Sequence, residues 1–162
     1  MKNLKIFFTI AASTLILALY SINPKSAVCV YTVYDPIKVG EMNMVKAITE
    51  AFPLIRDDVE IIEIPNAKFE SIKLNEGKTN IIVTAGQFGI ELAKSAGVLP
   101  KNVKILLCTH QWFDSMKDLH NIYLTMPKHA INNDVTNWAK KQKIELITTQ
   151  GVLHRMSAKA IK

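Results

Sequence analysis

A chain of 162 residues, 49% of them hydrophobic and with a formal charge of +6, is long enough for one domain with a proper core and too short for two sizeable ones. The basic excess is spread along the sequence, and its densest run, AKKQK at Ala139–Lys143, has no interleaved aromatic residues. It reads as a solvated helix end, so no nucleic-acid binding is expected.

The first residues stand apart from the rest. Lys2 and Lys5 precede a run that is uncharged from Ile6 to Ile22, the pattern of an export signal or of an N-terminal hydrophobic helix that anchors in a membrane. Its length lies between a signal core and a spanning helix. Lys25 sits where cleavage after Ala27 wants a small side chain, Leu19 before Ser21 is a modest alternative, and Val28 ahead of Cys29 does not suit a lipoprotein signal. Residues 1–26 are therefore expected to be a signal peptide or an uncleaved anchor. The single domain at 27–162 would then face outward, exported or held at an inner membrane. Without Lys2 and Lys5 the chain keeps 18 basic against 14 acidic residues, a formal +4.

Beyond this segment the pattern becomes regular. AVCVYTVY (27–34) is a β-branched and aromatic run closed by Asp-Pro, which predicts a strand. Glu41, Val45, Ile48 and Phe52 then recur at helical spacing up to Pro53. VEIIEI is a second strand, and AKFESIKL a short helix with Phe69 and Ile72 inward. NIIVTAG is a third strand. The helix after it carries Phe88, Leu92 and Ala96 on one stripe and stops at Gly97. VKILLCT, NIYLTM and IELITT are three further strands. Between the last two lies a helix with Asn133 or Asp134 as its N-cap and with Val135, Trp138 and Ala139 inward.

Short, nearly continuous apolar strands alternating with amphipathic helices predict an α/β fold: a Rossmann-like, open, mostly parallel sheet with helices on both faces. Ligands of such sheets sit beyond the carboxyl ends of the strands, where the strand order reverses. Three loops are thereby singled out, Asp35–Gly40, Gly86–Gly89 and Thr109–Phe113. With the strand order 3-2-1-4, the first and the last of these would flank one crevice.

Each candidate has a plainer reading beside the functional one. Gly86 and Gly89 in TAGQFG could open a helix whose free N–H groups hold an anion or polar ligand, or could serve the turn alone. Asp35, Lys38 and Gly40 suit a hydroxyl-rich or charged ligand, or form an ordinary Asp-Pro turn with a solvated lysine. Cys29 lies near the start of its strand and Cys108 near the end of another. An offset of about three residues exceeds the ~7 Å reach of a disulfide, so two buried thiols are expected. Cys108 and His110 superficially pair a nucleophile with a base, but no third residue orients them and a buried strand cysteine is common. His120, His129 and His154 lack metal-ligand spacing, so no zinc site is expected.

The order of these turns resembles the amino-terminal half of the elongated-mitochondria (mitochondrial fission) family. Members begin with a strand and an Asp-x-Lys-x-Gly-type loop. Later come a TG turn after a strand, a strand ending in Pro-x-His, and a Gly-x-x-His/Asn-Arg turn. Here DPIKVG, TAG, MPKH and TTQGVLHRMSAKAI fall in that sequence across most of Val30–Ile161. The first loop has one residue more between Asp35 and Lys38, and Glu41 stands where relatives tend to have His. The resemblance implies a GT-B glycosyltransferase-like architecture of two facing Rossmann-like domains, of which this chain would be the first. It implies a binding or truncated module, not catalytic alone, with no cofactor of its own. Its partner would be a second Rossmann-like domain or another protein. A glycan-like ligand would be held at Asp35, Lys38, Gly40, Gly86, Gly89 and His129, and His154 and Arg155 would belong to the interdomain cleft. The alternatives are half of a glycosyltransferase completed by a separate donor-binding domain, and one lobe of an exported solute-binding protein.

Overall fold

The computed structural model describes residues 27–50, 52–54 and 57–149. Six strands form one all-parallel sheet: β1 (Val28–Thr32), β2 (Val59–Glu63), β3 (Thr79–Ala85), β4 (Val103–Cys108), β5 (Tyr123–Pro127) and β6 (Glu145–Thr149). Three helices connect them: α1 (Val39–Thr49), α2 (Gly86–Ser95) and α3 (Asn133–Lys141). The sheet order is β2-β1-β3-β4-β5-β6.

This order replaces the expected 3-2-1-4, and the chemistry of β2 explains why. In 3-2-1-4 the second strand lies inside the sheet. β2 carries Glu60 and Glu63, and every residue along it is exposed or half-buried. Both carboxylates keep water access only at an edge, where charged side chains also discourage pairing with another chain. Lys78 Nζ lies 2.6 Å from Glu60 Oε2, and Lys46 Nζ lies 2.8 Å from Glu63 Oε1. Tyr34 donates its hydroxyl to Glu63, beneath the Lys46 ammonium, which ties α1 to this edge. The runs that can lose all contact with water, VCVYT in β1 and NIIVTA in β3, take the interior.

Helices cover both faces, as the alternation predicts. On one, Met44, Val45 and Ile48 of α1, with Phe52 beyond it, pack over Val30, Ile81, Val83 and Leu106. On the other, Ile90, Leu92 and Ala93 of α2 and Val135 and Ala139 of α3 pack over Tyr31, Ile82, Ile105, Leu107 and Leu124. Side chains as fully buried as Ile82, Leu106 and Leu107 are each worth about 1.5–3 kcal/mol of removal from water. Gly97 follows α2 with φ of +58°, the left-handed stop the sequence predicts.

Two local readings change. The segment AKFESIKL forms only a 3-10 turn, Phe69–Ser71, flanked by extended residues Lys68 and Ile72. A lone turn is a costly helix nucleus, and burial of Ile72 fixes an extended path instead. The cap of α3 is Asn132, whose Oδ1 accepts from the Val135 N–H at 2.9 Å, one residue ahead of the expected Asn133 or Asp134. The two thiols are free and buried, as expected. They lie on opposite faces of the sheet, with β3 between their strands.

The expected N-terminal hydrophobic helix falls in residues 1–26 and lies outside the described residues. Among the described residues, no helix is long and apolar enough to cross a membrane.

Gly89 lets α2 approach the sheet. A Cβ there would stand 2.7 Å from Leu107 Cδ1 and 2.9 Å from Thr84 Oγ1. Gly89→Ala is expected to lower unfolding stability by about 1–3 kcal/mol, measured by denaturant titration against the unchanged chain.

Candidate functional site

The observed order moves the reversal of strand order to the gap between β1 and β3. From β1 the chain crosses to β2 on one side, and all later strands are added on the other. The Asp35–Gly40 segment after β1 opens at this point, and β3 runs directly into α2 at Gly86, so the starts of α1 and α2 meet there. Thr109–Phe113 follows β4, one strand further away, so it is not the partner of the first loop as the expected order would have it. His129 stands in a 3-10 turn after β5, on the third strand from β1 in the sheet. His154 and Arg155 lie outside the described residues.

The loop after β1 is built by Asp35. Its Oδ1 accepts from the Ile37 N–H at 2.9 Å, and its carbonyl from the Lys38 N–H at 3.1 Å. This closes the turn before α1. Pro36, Ile37, Lys38, Val39 and Gly40 are left exposed, Ile37 at 83%. Asp35 therefore keeps one carboxylate oxygen for other contacts. A Cβ at Gly40 meets nothing within 4 Å, so space does not demand glycine there.

Gly86 is the opposite case. Its φ is +60°, and a Cβ would overlap the Glu41 carboxylate. Neither α1 nor α2 has a side-chain cap, and α2 has no acidic residue in its first turn. The Glu41 carboxylate, delivered from the first turn of α1, lies at the amino end of α2 where an anion would be favoured. The space beside Gly86 at the start of α2 is thus taken by the Glu41 side chain. Asp35, Lys38, Gly40 and Gly86, expected in ligand loops, stand around this crevice, together with Glu41, which was not among the expected site residues. The signal for it was present: an acidic residue in the first turn of one helix, beside a glycine opening the next.

Electrostatics sharpen the role of Glu41. Burial pushes its carboxyl above the usual carboxylate range; Lys38 pulls it back and Asp35 adds to the rise. A raised native pKa means the proton is bound more tightly in the folded state than in the unfolded one. The resulting stabilisation is complete below the unfolded pKa and is lost as pH climbs through the raised native value. At neutral pH the ionised Glu41 is a burden on the fold.

The alternative nucleophile does not serve. Cys108 is fully buried, and burial drives its thiol far above the range in which a thiolate forms. Among the described residues no group of three or more His, Cys, Asp or Glu side chains could hold a metal ion. Three hydroxyls near the carboxyl ends of neighbouring strands, on Thr84, Thr109 and Thr125, are buried without a hydrogen-bond partner.

No protein family, curated protein or solved structure matches this chain.

Three substitutions test the crevice. Glu41→Gln is expected to raise unfolding stability at pH 7. The pH dependence attributable to residue 41, taken as the difference between the two chains' denaturant midpoints from pH 4 to 8, should show wild type gaining on the variant as pH falls. Gly40→Ala should be neutral or stabilising by up to about 1 kcal/mol, as an alanine in a helix start with free space. Gly86→Ala should cost about 1–2 kcal/mol from the left-handed backbone alone and more from the clash with Glu41, both read by thermal unfolding.

Proposed function

We propose that this domain is a binding module, not catalytic by itself, whose ligand enters the β1/β3 crevice and donates hydrogen bonds to Glu41 and to the open oxygen of Asp35. The observation that carries this reading is the half-buried Glu41 carboxylate lodged against Gly86 at the switch point. Burial raises its carboxyl above the ordinary value, and a perturbed carboxyl in a crevice marks a candidate functional site. A group that accepts hydrogen bonds and takes the space beside Gly86 disfavours phosphate and favours hydroxyl groups. A glycan-like ligand fits that preference.

This agrees with the reading of the chain as the GT-B-like amino-terminal half of the mitochondrial fission family. A second Rossmann-like domain or a partner protein would supply the other wall of the cleft, with the exposed Ile37 and Val39 on the approach to it. His154 and Arg155 belong to the same proposal, and the apolar run Ile6–Ile22 would export the domain or anchor it.

Titration of the 15N-labelled chain with neutral oligosaccharides should shift amide signals of residues 35–41 and 86–88, whereas inorganic phosphate at the same concentration should leave them in place. Equal response to phosphate would overturn the ligand class. Sugar transfer by the isolated chain would overturn the binding role.

A further inference from the structure

A second concavity lies beside the crevice but is separate from it. The β2–β3 crossover and the outer side of α2 enclose a groove of about 480 Å³, within the roughly 300–1,000 Å³ range of small-molecule sites. Its floor is apolar: Ala67 and Leu92 are buried and Phe88 is half-buried. Asn66, Lys68 and Glu91 stand on its rim.

The rim has features that a solvated surface does not need. Glu91 is oriented by a hydrogen-bond chain: Ser115 Oγ donates to Gln87 Oε1 at 3.0 Å, and Gln87 Nε2 donates to Glu91 Oε1 at 3.1 Å. That chain leaves the second oxygen of Glu91 open. Asn66 holds a left-handed backbone, φ 56°, pinned by its N–H on the Tyr34 carbonyl at 2.9 Å. Among the described residues Lys68 has no ion pair, so its ammonium is available. The remaining charged group on the rim is Glu70, which adds to the negative side.

We propose that this groove binds a free amino acid with a large apolar side chain. Glu91, with Glu70 near it, meets the ligand's ammonium, Lys68 meets its carboxylate, and Ala67, Phe88 and Leu92 take its side chain. One occupant thereby uses both signs of charge and the apolar floor, whereas a purely apolar or singly charged ligand leaves part of the site unused. The proposal does not depend on the crevice reading, since it rests on different side chains.

The test is a titration of the full-length 15N-labelled chain with L-phenylalanine, 3-phenylpropionate and phenethylamine. L-phenylalanine should give saturable shifts at residues 66–70 and 88–95, and loss of either ligand charge should weaken binding about tenfold, the scale of one charge-assisted contact. Glu91→Gln should weaken L-phenylalanine and phenethylamine about tenfold and leave 3-phenylpropionate unchanged. Lys68→Ala should weaken L-phenylalanine and 3-phenylpropionate and leave phenethylamine unchanged. Both positions are exposed, and a thermal melt verifies that each variant folds. Absence of saturable shifts, equal affinity for the three compounds, or shifts confined to residues 35–41 would each overturn the proposal.

Discussion

The need of Glu60 and Glu63 for water governs the architecture. A strand of the form Val-Glu-Ile-Ile-Glu cannot be enclosed by neighbours on both sides without stranding a carboxylate, so β2 takes an edge. With β2 outside, β1 becomes its sole neighbour and turns its other side to β3. The geometry of the switch point follows from that adjacency. The reversal of strand order falls between β1 and β3, the starts of α1 and α2 meet there, and Glu41 reaches Gly86.

Two glycines of one short helix serve distinct ends. Gly86 provides a left-handed turn and leaves room for a carboxylate that arrives from another helix, whereas Gly89 brings α2 down onto Leu107 and Thr84. Six residues of sequence, Thr84–Gly89, therefore join the packing of the second layer to the shape of the crevice. The same helix presents Phe88, Glu91 and Leu92 to the groove on its far side. Because α2 borders both concavities, a shift in its seating would be felt in both. That coupling is a consequence of placing a single helix between the switch point and the β2–β3 crossover.

The crevice and the core make opposite demands on Glu41. Packing would favour a neutral side chain at a half-buried position, yet the carboxylate stands there with Asp35, a like charge, nearby and Lys38 opposing it. Cys108 shows the alternative outcome for an ionisable group: enclosed on all sides, its thiol stays protonated and inert. Half-burial leaves Glu41 in contact with solvent, while full burial makes Cys108 a packing residue.

Much of this was legible in the chain. Runs such as NIIVTA and VKILLC announce buried parallel strands because no polar residue interrupts them in the middle, and Gly97 announces the end of α2 because only a left-handed residue can stop a helix so sharply. Asp35 and Gly86 could be placed at strand ends for the same local reasons. The short helix expected at AKFESIKL failed because tertiary burial of Ile72 outweighed local helical periodicity, and the cap of α3 moved by one residue because N-cap choice among Asn132, Asn133 and Asp134 depends on backbone geometry that composition does not encode. The sequence by itself determined the fold class, the two buried free thiols and where most strands end in turns, since periodicity and turn chemistry are local properties. Only the tertiary structure decided which of those loops meet, that Glu41 fills the amino end of α2, and that a charged groove lies behind it, because strand order depends on what each strand must keep in water once all the others are in place.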